Sequence, residues 1–297
     1  MTWLPALLML LVTTPAMAHG GVPDDHPWSL DLPVVIPLCL SAGLYLVGTI
    51  RLWRRAGRGR GVRRWQAGCF WAGWSILALT LLSPLASLSD QLFVAHMIEH
   101  EIMVTIAAPL LVASRPIGAF LWAFPTGWRR RLGRLGGSKL VAGSWAILTG
   151  AAMATCLHGA ALWVWHVPAL FAAALASEPV HWLQHLSFFL TALLFWQSLL
   201  SARAARIGHG TALLWLFVTI LHTAFLGILL ALSPTPWIPR QTDLLAGFGL
   251  TPLEDQQLAG LVMWVPGGLI YTAVALALAA RWIRGAGEQA RRRQAHA

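Results

Sequence analysis

Charge is scarce in this chain: only 11% of its 297 residues are Asp, Glu, Lys or Arg, against 57% hydrophobic. That is too few polar groups to solvate the surface of a soluble protein of this size, so lipid must be the solvent for most of it. Cysteine is scarcer still. Cys39, Cys69 and Cys156 each stand alone in an apolar run, which argues against a disulfide framework and a C-x-x-C metal or redox motif. A nucleophile elbow and a phosphate-binding glycine loop are also missing, and no enzyme activity is expected. Acidic residues number 11 against 21 Lys and Arg, for a net charge of +10. Such an excess can mark a nucleic-acid binder, but here the cations sit in short blocks between apolar runs, so no nucleic-acid partner is expected.

What is present is a series of long apolar runs. The first, Trp3 to Val12, is too short to cross ~30 Å of hydrocarbon. It precedes Ala16-Met17-Ala18, a small-residue cleavage pattern, although Met1-Thr2-Trp3 lacks the usual cation. Residues 1–18 are therefore read as a cleaved signal peptide, and residues 19–297 as one integral membrane domain. About seven spans follow, each long enough to cross: Pro33 to Trp53, Trp65 to Leu88, Phe93 to Ser114, Leu140 to Trp165, His181 to Ser201, Thr211 to Leu232 and Gln257 to Trp282. The fold class is an all-α polytopic bundle in a lipid bilayer. Pro116 to Pro125 is short and bounded by prolines, and the Trp128-Arg129-Arg130-Arg131 stretch after it suits the headgroup level.

The cations set the orientation. With the mature N-terminus outside and the C-terminus cytoplasmic, the inner segments take Arg51 to Arg64, Arg115 to Lys139, Arg203 with Arg206, and Arg281 to Arg293. Arg240 alone of the 21 cations falls outside. This segregation predicts a multi-pass membrane protein of that orientation. Many of the 17 tryptophans lie at predicted span ends, where an indole suits the interface.

Histidines carry the chemistry. His96 and His100 open the third predicted span, and His181 and His185 open the fifth; in each pair the spacing of four puts both rings on one helix face. His158 and His166 lie toward the outer end of the fourth span, and His222 near the middle of the sixth. A lone intramembrane histidine is ordinarily helix-joining glue. Six in the outer half, including two i,i+4 pairs, point instead to ligation of a first-row metal or of haem b by some of them, since imidazole serves both. Met97, Met103, Met263 and Cys156 are candidate soft ligands, which would favour copper(I), although methionine is also an ordinary gap filler. Glu99 and Glu101 are candidate orienting acceptors for ligating rings. Cleavage before His19 would expose a terminal amine and imidazole able to chelate copper together.

The segments A-H-M-I-E-H-E-I-M, W-V-W-H-V-P-A-L-F-A-A-A-L leading into H-W-L-Q-H-L-S-F-F, and D-Q-Q-L-A-G-L-V-M-W-V-P-G-G resemble the CtaG family of membrane proteins required for assembly of caa3-type cytochrome c oxidase. The resemblance runs from about the second span to the seventh. It implies an assembly factor that handles copper for the oxidase, with oxidase subunits as partners and His96, His100, His166, His181 and His185 as the matching histidines. His158 and His222 rest on residue chemistry alone. A b-type cytochrome with bis-His haem and a transporter of copper or a small solute stay open as alternatives.

Overall fold

The computed structural model describes residues 28, 30–200, 209–237, 245 and 247–295, which form helices and turns without any strand. The signal-peptide reading of residues 1–18 and the chelate at His19 fall outside the described residues. Twelve helices matter here: α1 Leu32–Ala56, α2 Arg64–Leu82, α3 Pro84–Gln91, α4 Phe93–Ser114, α5 Ile117–Ala123, α6 Thr126–Gly136, α7 Lys139–Leu148, α8 Ala151–Trp165, α9 Pro168–Ala176, α10 Glu178–Leu200, α11 His209–Ala231 and α12, continuous from Pro252 to Ala295. Six are long and apolar enough to cross a membrane, and α7 with α8 make a seventh if their bent pair counts as one span.

Two predicted spans break where the backbone chemistry requires it. The second ends at Leu82 instead of Leu88, because Ser83 before Pro84 is extended, as the proline ring demands, and the Ser83 hydroxyl accepts the Leu85 N–H at 3.3 Å to start α3. The fourth bends by 63° between α7 and α8. There the Thr149 hydroxyl bonds back to the Trp145 carbonyl at 2.6 Å, and Gly150 takes an extended conformation from which α8 starts afresh.

Five helices close a ring: α4 packs on α10, α10 on α8, α8 on α11, α11 on α12, and α12 returns to α4. The ring is filled by Phe188, Phe195, Trp196 and Tyr271, each buried to 2% exposure or less. α2 covers the outside of α4, and α1 packs mainly on α5. Leu214, Phe217, Leu221 and Phe225 are exposed on α11 at helical spacing, a surface that suits hydrocarbon. The cluster of Leu52, Val62, Ala67 and Ala119, with Trp53 and Trp122 against it, gathers the arginine-rich end of α1, the start of α2 and α5 at one end of the bundle.

Two helices of the ring contain a π-helical turn, Ile102–Ala107 in α4 and Met263–Gly267 in α12. Wider turns of this kind disturb the regular carbonyl ladder. The Trp196 indole N–H of α10 donates to the Val104 carbonyl at 2.8 Å, tying α10 to α4 at that turn.

Candidate metal centre

The helix bearing the first histidine pair starts without a cap of its own, because Leu92 at its N-cap has no polar side chain. α12 supplies one. Asp255, 1% exposed, accepts the Phe93 N–H at 2.7 Å and the Val94 N–H at 2.9 Å. A carboxylate there satisfies two of the helix's orphan donors and meets the positive end of its dipole. Gln256 accepts the Trp237 N–H at 2.6 Å, and the Gln257 amide donates to the Ser233 carbonyl at 3.3 Å, so the opening of α12 also fixes the connection leaving α11. Asp255→Ala removes the acceptor of both α4 donors and is expected to cost about 2–4 kcal/mol. Thermal melting of detergent-purified protein checks this, with Asp255→Asn expected to fall between variant and wild type; an unchanged melting temperature in the alanine variant would refute the cap.

One turn into α4, the expected helix face forms. His96 and His100 stand with ring centroids 4.2 Å apart, and His181 and His185 on α10 stand 4.3 Å apart. The pairs face each other: His96 stacks on His181 at 5.3 Å, and His100 meets His185 edge-on at 4.8 Å. One ring nitrogen each from His96, His181 and His185 lies within 4.8 Å of the other two. Phe171 packs on His96 at 5.1 Å and Phe188 on His100 at 4.6 Å, walling two sides. The nearest carboxylate is Glu99, whose Oε2 is 3.9 Å from His185 Nε2.

Both ring nitrogens of His100 are buried without a hydrogen-bond partner. Each such group costs roughly 1–3 kcal/mol, a penalty that a bound ion would relieve. Nitrogens bound at about 2.0 Å to one ion stand about 3.3–3.5 Å apart, so closing the three donors asks for a shift on the order of an ångström. The donor set therefore fits a small ion.

The remaining predicted residues divide. His166 lies beside this cluster, sharing Phe188 with His100. Its Nδ1 is 2.7 Å from the Leu162 carbonyl; a carbonyl only accepts, so Nδ1 carries the proton and the buried, unpartnered Nε2 offers its lone pair. His158 stacks instead on Phe195, with His222 against its chain neighbour Gly159, so of the six histidines expected at one level five gather here and His158 stands apart. Glu101 turns toward α12, where a Cβ on Gly267 would stand 2.7 Å from its Oε2, and it does not join Glu99 at the rings. Met97 and Met263 pack in an apolar cluster with Phe93, Phe171 and Leu226, and Met103 belongs to the main core. Cys156 is exposed on the outside of α8. Asp255 was not singled out as a positioning residue by the sequence; the D-Q-Q string gave the only signal.

The family described as cytochrome c oxidase caa3 assembly factor (Caa3_CtaG) matches residues 43–285. Comparison with curated proteins and with solved structures returns no match. The matched stretch begins within α1, runs into α12, and holds all four clustered histidines together with Asp255. A multi-pass helical membrane protein matched over that length is a member of the cytochrome c oxidase caa3 assembly factor family.

Proposed function

We propose that the protein holds copper(I) as cargo at His96, His100, His181 and His185, and passes it within the membrane to a subunit of the oxidase it helps assemble. The observation that carries this reading is the set of three imidazole nitrogens, from two helices, within 4.8 Å of one another. Imidazole suits copper, and a low-coordinate ion exchanges ligands readily. Glu99 beside His185 balances one positive charge, which favours a monovalent over a divalent ion in a medium that penalises net charge. The rings touch one another between Phe171 and Phe188, an arrangement that favours a bare ion over a haem macrocycle. The segregated cations favour a histidine-bearing end on the extracytoplasmic side of the bacterial cell membrane, with the arginines inside. In this reading no bond of a substrate is made or broken, and the protein is a carrier.

Deleting the gene is expected to leave the oxidase polypeptides in the membrane while oxidase activity falls, and added copper is expected to restore it. Immunoblots and oxygen uptake measure the two. Full activity in the deletion strain without added copper would overturn the proposal.

A further inference from the structure

We infer a second copper(I) site, deeper in the bundle, formed by His158 of α8 and His222 of α11. His158 lies two turns from His166 along α8 and is 0% exposed. Its Nδ1 is 3.2 Å from the Thr191 hydroxyl oxygen on α10. That hydroxyl gives its own proton to the Ser187 carbonyl at 2.8 Å, so toward His158 it accepts, and the Nδ1 must donate. The proton is thereby held on Nδ1 and the lone pair on Nε2, the arrangement by which an outer hydrogen bond prepares an imidazole for a metal. That Nε2 is buried and has no partner.

His222 completes the pair. Its ring lies against Gly159, the residue after His158: a Cβ at Gly159 would stand 3.3 Å from His222 Nε2 and 3.4 Å from Cε1. The Nε2 edge therefore points into α8, and the missing side chain at Gly159 is what allows the approach. Both nitrogens of His222 are shielded from solvent and lack hydrogen-bond partners. A helix-joining histidine would bond to another ring or to a neighbouring hydroxyl or carbonyl; His158 does so only through Nδ1, while its Nε2 and both nitrogens of His222 are left without a partner. Phe195 stacks on His158 at 5.4 Å and 19°, leaving no third donor from that side.

Two neutral imidazoles with no carboxylate among these contacts suit a monovalent ion of low coordination number; a divalent ion would bring two uncompensated charges into the apolar bundle. His222 follows the exposed Leu221 on α11, so the site lies near the α8/α11 edge of the ring, while His166, two turns along α8 from His158, lies beside the four-histidine cluster. This second site rests on the copper reading above only for the identity of its ion.

The test is competitive titration of detergent-purified protein with copper(I) against a chromophoric chelator under reducing, anaerobic conditions, with X-ray absorption on the loaded samples. Wild type is expected to bind two ions. His222→Phe, which fills the volume without a nitrogen, and His222→Gln, which keeps it polar, are each expected to lose one ion and the edge feature of two-coordinate copper(I). The agreement of the two variants separates loss of a ligand from a packing defect. His96→Ala/His181→Ala should lose the other ion and keep that feature. Wild-type stoichiometry and edge in both His222 variants would overturn the second site. A single ion in wild type, removed by His96→Ala/His181→Ala and untouched at His222, would overturn it while leaving the shallower cluster standing; a single ion removed only at His222 would do the reverse.

Discussion

Replacing both His96 and His181 with alanine is expected to weaken copper(I) binding at the four-histidine cluster by more than roughly a hundredfold. Loss of a mere orienting partner already costs about 10–100-fold in metal affinity, and this variant removes two donors from the set of three. The same titration used for the deeper site measures it. Glu99→Gln keeps the shape and removes the balancing charge near His185, and should weaken the ion by about tenfold, the lower end of that range. Cys156→Ser should change nothing, because Cys156 is exposed on the outer face of α8. Unaltered affinity in the double variant would remove the cluster from copper handling.

The second large effect lies at the contact of α11 with α12. A Cβ at Gly260 would stand 2.5 Å from both the Ala231 nitrogen and the Gly227 carbonyl oxygen, which are backbone atoms and cannot swing away. Close approach through small residues is a standard way for membrane helices to gain dispersion contacts. Gly260→Ala should therefore cost about 2–3 kcal/mol as overpacking, and Gly260→Leu should part the helices and leave little protein in the membrane. Gly268→Ala is the control, since a Cβ there meets nothing within 4 Å. Melting temperature and membrane yield report both. Equal yields for Gly260→Leu and wild type would show that α11 and α12 need no such contact. Because Asp255 precedes Gly260 on α12 and caps α4, the loss should extend to copper binding.

The bundle was legible in the sequence because a span requires a long apolar run, and hydropathy records that directly. The pairs His96/His100 and His181/His185 were legible for a similar reason: a spacing of four fixes a common face whatever the neighbours are. A helix turns by about 100° per residue, so the same geometry already places Cys156 on the face opposite His158 and turns Glu101 away from His100. Reading depth without that angle grouped residues that the helices point apart. The bend at Gly150 and the stop at Ser83 depend on local backbone bonding inside apolar runs, to which hydropathy is blind. The start of α12 is fixed by a mutual cap of Thr251 and Glu254, five residues before the predicted start of its apolar run, a local signal that hydropathy passes over. The cap by Asp255 joins residues more than 160 positions apart, and no spacing rule reaches that far.

The π-helical turn in α4 interrupts its regular ladder without breaking the helix, which runs as one span from Phe93 to Ser114. The part before the turn, Phe93–Glu101, carries His96 and His100, and the part after it, Ala108–Ser114, lies in the main core. α12 has its own π-helical turn at Met263–Gly267, beyond the Asp255 that caps the start of α4. On the proposed copper reading, any ångström-scale adjustment of the histidine-bearing end would fall most cheaply at these two turns, where the carbonyl ladder is already irregular.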